Sequence, residues 1–378
     1  MTKTASFGNI EGLDRRKNYL TVMNQKLIIS FLLIVFTGNI SCRKYNQAYT
    51  SVDPTPEKKW TVTTIAGDGR PVVADGPALS ASFRDPLDVA ITKDGSIYVA
   101  DVLSHRIRKI ADGLVTTFAG SGVSDTTNGF GINAAFKLPD ALATDNNGNL
   151  YTLDVTDPRV RKISPEGLVS RYAGTGAEGF ADGQADVAQF GEEASGITTD
   201  LAGNIYVSDL DNSRIRKVST SGQVTTIAGN GLTGYVDGNA RTAQFFSPTG
   251  IVIDKQGNLF VADLNRIRKI TPSGIVSTFA GNDSAGYRDG QQHEALFSFI
   301  NDMVIDNDGN IYLSDDNRIR IITPQGIVST LAGSTPGYQD GDASLAKFFS
   351  PTGLGIDNHG NIYVADLSNH RIRKLSFE

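Results

Sequence analysis

The 378-residue sequence has little cysteine, tryptophan, methionine or histidine, with one, one, three and four residues respectively. The single cysteine, Cys42, excludes a disulfide within the chain. The apolar stretch at 26–36, KLIISFLLIVF, is too short to cross a bilayer core of about 30 Å. The 35 Lys and Arg residues face 41 Asp and Glu residues, which gives a net charge of −6 and no basic block. Nucleic acid is therefore not an expected partner.

Glycine is the residue that the chain has in abundance. There are 40 glycines in a sequence that is 39% hydrophobic and 20% charged. This composition is ordinary for a globular protein, and the glycine content indicates many tight turns, because hairpins need residues that adopt positive φ. An all-β fold is predicted.

The N-terminal segment is predicted to be a leader. The stretch at 26–36 has the length and the preceding positive charge of a signal-peptide core. It is followed by TGNISC, which resembles a bacterial lipobox ending in a lipidated Cys42, although Asn39 stands where leucine is usual. We expect a leader over 1–41, with Met23 as a candidate true start, a lipid anchor on Cys42, and a flexible tether over 42–59. The alternative is that Cys42 is a buried free cysteine.

A repeat of 52 to 55 residues fills the rest of the chain. An Ala-Gly pair closes a β-rich run at Gly67, Gly120, Gly174, Gly229, Gly281 and Gly333. The connection that follows each pair ends in A-x-F, at Phe83, Phe136, Phe190, Phe245, Phe297 and Phe348. Four β-rich pieces, strands a to d, then lead to the next Ala-Gly. Strand b ends in aspartate, and strand c opens with R-[IV]-R. Four strands in a unit of this size are typical of a propeller blade.

The order of strands at the two ends predicts how the ring closes. The repeats begin with a lone strand d, WTVTTIAG at 60–67, and finish with strands a, b and c but no d. The first strand should therefore complete the last blade and leave no unpaired edge between them. We predict an all-β, six-bladed β-propeller of four-stranded blades over 60–378, closed by its N-terminal strand.

These repeats resemble a known family. The segments NIYVADLSNHRIRKL and FSPTGLGID resemble the NHL repeat, and the resemblance covers 60–375. It implies a six-bladed propeller, and the bacterial leader suggests a lipoprotein-type member. NHL propellers include protein-binding sensors, RNA-binding modules, an amidating lyase and scaffolds, so the resemblance predicts architecture better than activity.

Most motifs that recur around the ring are predicted to be structural. The pattern G-[YF]-x-D-G appears in four connections, and D-x-x-G-N forms the turn between strands a and b. Asp366 and Arg371, with their equivalents, are interpreted as structural charge pairs. The turn at 306–310, DNDGN, faintly resembles a calcium loop but lacks the glutamate twelfth ligand.

A binding site is expected where the copies differ, at the starts of the a strands around the central channel. Asp88, Asp140, Asn301 and Asp302 replace small consensus residues there, and Glu192 and Glu193 add to the same rim in blade 3. Carboxylates and an amide that converge can hold a divalent cation or a polar ligand. The competing interpretation is that they are solvated rim residues or strand caps.

The histidines argue against an enzyme. His105 and His370 precede R-I-R segments, His293 lies in a connection, and His359 lies in a turn. None starts an a strand, so the inward-facing histidines that a zinc or acid–base site needs at the axis are missing. No G-x-S-x-G, P-loop or cysteine nucleophile is present, and no catalytic residue is assigned.

Three functions remain open from the sequence. The first is a monomeric, lipid-anchored module of the bacterial cell envelope that binds a protein or glycan through its loop face, formed by the d-to-a and b-to-c connections. The second is a metal-dependent hydrolase or lactonase that uses Asp88, Asp140 and Asp302 at the axis. The third is RNA binding by analogy with the family, against which the acidic balance and the leader both argue.

Overall fold

The computed structural model describes residues 58–378, and these form six sheets arranged as the blades of a propeller. The leader, Cys42 and nearly all of the predicted tether lie outside the described residues. Among the described residues, no helix is both long and apolar enough to span a membrane. The predicted six-bladed, all-β architecture is confirmed.

Within each blade, strands a, b, c and d follow one another from the axis outwards. The a strands are β3 (Pro86–Ile91), β8 (Pro139–Thr144), β13 (Ala194–Thr199), β18 (Pro248–Ile253), β23 (Ile300–Ile305) and β28 (Pro351–Ile356). The b strands are β4 (Ile97–Asp101), β9 (Leu150–Asp154), β14 (Ile205–Asp209), β19 (Leu259–Asp263), β24 (Ile311–Asp315) and β29 (Ile362–Asp366). All neighbouring strands are antiparallel, as hairpin connections require.

Two further sets complete the predicted four strands. The c strands are β5 (Arg106–Ala111), β10 (Asp157–Ile163), β15 (Arg214–Val218), β20 (Arg266–Ile270), β25 (Arg318–Ile322) and β30 (Arg371–Phe377). The d strands are β1 (Trp60–Ala66), β6 (Leu114–Ala119), β11 (Leu168–Ala173), β16 (Gln223–Ala228), β21 (Ile275–Gly281) and β26 (Ile327–Gly333). Short 3₁₀ turns occur at Ala78–Ser80, Val102–Ser104, Gly131–Asn133, Gln292–Glu294 and Leu367–Asn369.

Each blade has a fifth strand that the sequence analysis did not predict. It is two residues long, pairs with strand d, and comes from the connection that enters the blade. These strands are β2 (Gly76–Pro77), β7 (Gly129–Phe130), β12 (Gly183–Gln184), β17 (Gly238–Asn239), β22 (Gly290–Gln291) and β27 (Gly341–Asp342). Each begins at the glycine of the Asp-Gly or Asn-Gly pair. At positions such as Gly238, φ is +118°, which a side chain would disfavour.

The ring closes as predicted. β1 pairs along its length with β30, from Trp60 opposite Phe377 to Ala66 opposite Ile372. The core lies between successive blades, where alternating strand residues and the A-x-F phenylalanines are buried. Phe83 and Phe348, for example, are fully buried. The inner strands are thereby fixed around one axis.

Candidate functional site

The six a strands surround a central cavity of about 260 Å³. Its wall is mostly aliphatic, with threonine hydroxyls at Thr144, Thr198 and Thr199. Two carboxylates that the sequence singled out, Asp88 and Asp302, also line it. They occupy the same strand position in blades 1 and 5, so blade 6 lies between them.

Both aspartates join neighbouring blades. The Leu142 N–H of blade 2 donates to Asp88 Oδ2 at 2.6 Å, and the Val89 N–H donates to Asp88 Oδ1 at 2.7 Å. In the same way, the Leu354 N–H of blade 6 donates to Asp302 Oδ2 at 2.9 Å. Each carboxylate therefore satisfies a main-chain donor on the next inner strand, where neighbouring blades do not form a common sheet.

Glycine on the preceding blade makes room for each carboxylate. Gly353 of blade 6 and Gly250 of blade 4 stand at the position that aspartate occupies in blades 1 and 5. A Cβ on Gly353 would overlap the Asp88 carboxylate, and one on Gly250 would lie 2.8 Å from the Asp302 Cα. The small consensus residue at this position is therefore a requirement of close strand packing.

The electrostatics of the channel favour protonated carboxyl groups. Burial raises the pKa of Asp88 well above its ordinary value, and the nearby charges of Asp302 and Asp140 raise it further. Burial, with a smaller contribution from the Asp140 charge, raises the pKa of Asp302 to about 6. Hydrogen bonds from main-chain N–H groups oppose both shifts.

The other predicted rim residues do not line the cavity. Asp140 is buried one position earlier on its strand, and the Asn301 side-chain amide donates to the Pro351 carbonyl at 3.2 Å. Glu192 is exposed, and the Glu193 N–H donates to Asp211 Oδ2 at 2.8 Å in a connection of blade 3. The structure thus brings two of the six candidates into the cavity wall.

No metal-binding group is evident in the described part of the chain. Across 58–378, no cluster of three or more His, Cys, Asp or Glu side chains is arranged to hold a metal ion. The carboxylate oxygens of Asp88 each accept a main-chain hydrogen bond. The predicted lipid attachment point, Cys42, lies outside the described residues.

The charge pair at the end of strand b differs from the prediction. Asp366 lies opposite Arg371 in the strand pairing, yet its carboxylate binds Arg373, at 2.6 Å from Nη1. Arg371 instead donates to the carbonyls of Asn369 and Asp68. The predicted partner, Arg371, was therefore wrong by two residues. Arg371 bonds to these carbonyls, and Arg373 takes its place beside the carboxylate.

The second arginine of R-[IV]-R is a central feature that the sequence analysis missed. It is fully buried in every blade, as Arg108, Arg161, Arg216, Arg268, Arg320 and Arg373. In blade 6, Arg373 also binds Asp340 of the Asp-Gly pair, at 2.5 Å, and lies between the rings of Tyr338 and Phe348. The G-[YF]-x-D-G loop therefore encloses an arginine within its own blade.

The a-to-b turn is structural, as predicted. In the turn at 306–310, Asp306 Oδ1 accepts from the N–H groups of Asp308 and Asn310. Asp306 Oδ2 accepts from the Asn310 amide and from the hydroxyl of Tyr312 on strand b. The first aspartate of this turn, present in five of the six blades, is thus the centre of a closed hairpin turn.

Two family models match parts of the chain. The NHL repeat model matches 83–110 and 348–375, and the Teneurin NHL domain model matches 233–295. Teneurin-4 of Mus musculus is 29% identical over 351 residues, which is 80% of this chain and 12% of that protein. The chain spans only about an eighth of the length of the teneurins that it matches.

Solved structures share the architecture. An auxiliary nutrient binding protein from Bacteroides thetaiotaomicron aligns with a TM-score of 0.64 at 17% identity, over 85% of this chain and 77% of the other. Virginiamycin B lyase from Staphylococcus aureus aligns with a TM-score of 0.51 at 14% identity, over 85% and 99%. At these identities the likeness establishes the fold alone.

Proposed function

We propose, on the premise that the chain is a six-bladed β-propeller with NHL repeats, that it is an extracytoplasmic, lipid-anchored binding module. In this proposal, Cys42 carries the lipid, the segment 42–59 is the tether, and the loop face recognises a protein or a glycan. The chain is then a bacterial cell-envelope protein.

One observation carries the binding role. Three residues after each Ala-Gly, at the same place in all six connections, the side chain is exposed and differs in every blade. These residues are Arg70, Val123, Ala177, Leu232, Ser284 and Pro336. Val123 and Leu232 remain 64% and 62% exposed. A constant backbone that presents variable exposed side chains is the usual arrangement of a recognition surface.

The neighbours support the same proposal. A fold shared with an auxiliary nutrient binding protein is compatible with binding without chemistry. The sequence contributes the lipobox-like segment before Cys42, which favours export.

The first test is mass spectrometry of the full chain from a bacterial host, with Cys42→Ala as the matched control. The proposal expects a diacylglyceryl group on Cys42 and membrane fractionation, both lost in the variant. A full-length, unmodified chain in the cytosolic fraction would reject the anchor and the location.

A second candidate function is a hydrolase or lactonase at the axis, with a divalent cation at Asp88, Asp140 and Asp302. The observation in its favour is that Asp88 and Asp302 line one central cavity, and that burial raises the pKa of both, as is common for acid–base groups. Asp140 lies outside the cavity wall. Metal analysis of the purified protein tests it, together with lactone hydrolysis by the wild type and by Asp302→Asn. Activity that is equal in both proteins would reject it.

A further inference from the structure

A second concave surface lies on the turn face, opposite the loop face. It is a groove of about 1000 Å³ between blades 3 and 4. Its inner end is formed by a-to-b turns of blades 3, 4 and 5, at 200–202, 254–257 and 306–307. Its outer end is formed by the c-to-d turn of blade 4, at 271–274, and by Arg241. Arg241 follows β17, in the part of the d-to-a connection that reaches this turn face, where the Ala240 N–H donates to the Gly274 carbonyl. Its volume lies at the upper end of the range typical of ligand sites.

Three cationic side chains line this groove. Lys217 is held over the ring of Tyr206, with its Nζ 5.5 Å from the ring centroid. Lys255 Nζ donates to the Asn307 carbonyl at 2.9 Å. Arg241 is exposed. Within 58–378, no carboxylate forms an ion pair with any of the three, so their charges are available to a ligand.

Asp200, Asp254 and Asp306 also line the groove, but their carboxylates are engaged within their own turns. Asp200 and Asp254 each accept hydrogen bonds from two main-chain N–H groups and one asparagine amide of their own turn. Asp306 does the same. Their oxygens therefore serve the turns, and the donors that remain for a ligand belong to the cations. This favours an anionic ligand.

Uncharged groups in the groove suit a ligand with both apolar faces and hydroxyls. Leu201 is 84% exposed, and Pro272 lies in the outer wall. Thr226 and Ser273 contribute hydroxyls, and Gln256 contributes an amide. The walls are turns whose main-chain groups already bond within the turn, as when the Thr271 N–H donates to the Ile275 carbonyl.

The pair of cations is specific to blade 4. At the position of Lys255, the other blades carry Lys93, Asn146, Leu201, Asn307 and Asn358. At the position of Arg241, they carry Leu79, Ile132, Asp186, His293 and Ser344. Features that all blades share serve the scaffold, whereas Arg241 and Lys255 coincide in one blade only.

We propose that this groove binds an acidic oligosaccharide, with Arg241 and Lys255 holding its carboxylates and Leu201 contacting a sugar face. The proposal adds a second surface to the binding module. It depends neither on the lipid anchor nor on the loop face.

The test is calorimetric titration of the purified full chain with a trimer of galacturonic acid and with the neutral trimer of galactose. We expect the acidic trimer to bind at least tenfold more tightly than the neutral one, and its Kd to rise steeply with salt. The variant Arg241→Ala/Lys255→Ala should lose at least tenfold in affinity. The matched control, Lys93→Ala/Lys109→Ala, removes two lysines from blade 1 and should bind like the wild type.

Three results would overturn the proposal. These are equal affinity for the two trimers, equal losses in both double variants, and binding of neither trimer. Thermal unfolding of each variant verifies that the ring is intact. The lipid on Cys42 is measured by a separate experiment. Failure of the groove proposal therefore does not reject the lipid-anchored module, and absence of the lipid does not reject the groove proposal.

Discussion

Blades 2 and 3 hold the same buried arginine in different surroundings. In blade 3, Arg216 bonds to Asp209 at 2.6 Å and to Asp182 at 2.8 Å, so two carboxylates neutralise one guanidinium. In blade 2, Asn128 replaces the second carboxylate. Arg161 lies 3.8 Å from the nearest carboxylate oxygen described for it, on Asp157.

The strand-b carboxylate of blade 2, Asp154, shows how a nearby arginine affects a buried acid. Asp154, the counterpart of Asp209, accepts from the N–H groups of Lys137 and Leu138. Asp209 accepts from the Gly191 N–H and, in addition, from Arg216. Burial raises the pKa of Asp154 to about 7, with the Asp157 charge adding to it. Burial raises the pKa of Asp209 as well, but there the Arg216 guanidinium in contact opposes the shift, and a more distant arginine opposes it less well.

The largest expected effect is loss of the fully paired arginine. Arg216→Met leaves a buried and a half-exposed carboxylate without their cation, which should cost about 3–5 kcal/mol of unfolding free energy. Arg161→Met in blade 2 should cost clearly less, because its contacts are weaker. Urea titration followed by tryptophan fluorescence measures both, and equal losses would remove the distinction between the blades.

The second effect is a pH dependence that originates in blade 2. The folded pKa of Asp154, about 7, exceeds its ordinary value of 3.8, so the folded state binds a proton that the unfolded chain releases earlier. The contribution of Asp154 to stability is therefore complete below about pH 4 and is lost as the pH rises through 7. Asp302 and Asp88 act in the same direction.

Asp154→Asn isolates this contribution. The variant should show a flatter fall of melting temperature between pH 4 and 8 than the wild type, whatever its absolute stability. Asp209→Asn in blade 3 is the comparison variant; burial raises the pKa of Asp209 too, but Arg216 opposes that shift, so this variant should flatten the fall less than Asp154→Asn does. A slope unchanged by Asp154→Asn would show that the pKa of this carboxyl is not raised.

A smaller effect follows from exchanging the second acidic partner. Asn128→Asp gives Arg161 the half-exposed carboxylate that Arg216 has, and should stabilise the protein by about 0.5–1 kcal/mol. Asp182→Asn should make blade 3 resemble blade 2 and cost a similar amount. Denaturant midpoints at pH 7 measure both, and changes of the same sign in the two variants would contradict the comparison.

An effect of similar size concerns the aromatic ring. Phe180 of blade 3 lies under Arg214, with the guanidinium 3.8 Å from its centroid, whereas blade 2 has Thr126 at this position. Phe180→Thr should cost about 1 kcal/mol. Tyrosine at 180 keeps the stacking and should restore wild-type stability. If tyrosine and threonine behave alike at this position, the ring is not what supports the arginine.

The sequence predicted the blades because repeated turns and alternating strands recur in register. It did not predict the fifth strand, since a two-residue pairing leaves no alternation to read. The predicted charge pair of Asp366 with Arg371 is not formed, although the two residues lie opposite each other on strands b and c. The sequence did not predict the hydrogen bonds from Arg371 to the carbonyls of Asn369 and Asp68, which orient this arginine away from Asp366.

The candidate site was predicted by position and not by geometry. Asp88 and Asp302 depart from the small consensus and do line the channel, as their place on the a strands predicted. Their bonds to Leu142 and Leu354 depend on how closely adjacent inner strands approach, which no single strand encodes. The groove of Arg241 and Lys255 was missed because its residues come from turns that were interpreted only as scaffold.

The pairing of β1 with β30 also determines when the last blade can fold. Trp60 is synthesised more than 300 residues before its partner Phe377, so the sixth sheet cannot be completed until β30 has left the ribosome. Until then, both edges of that sheet are open to other strands. The nascent protein therefore depends on late closure, and loss of β30 would leave an open, aggregation-prone ring.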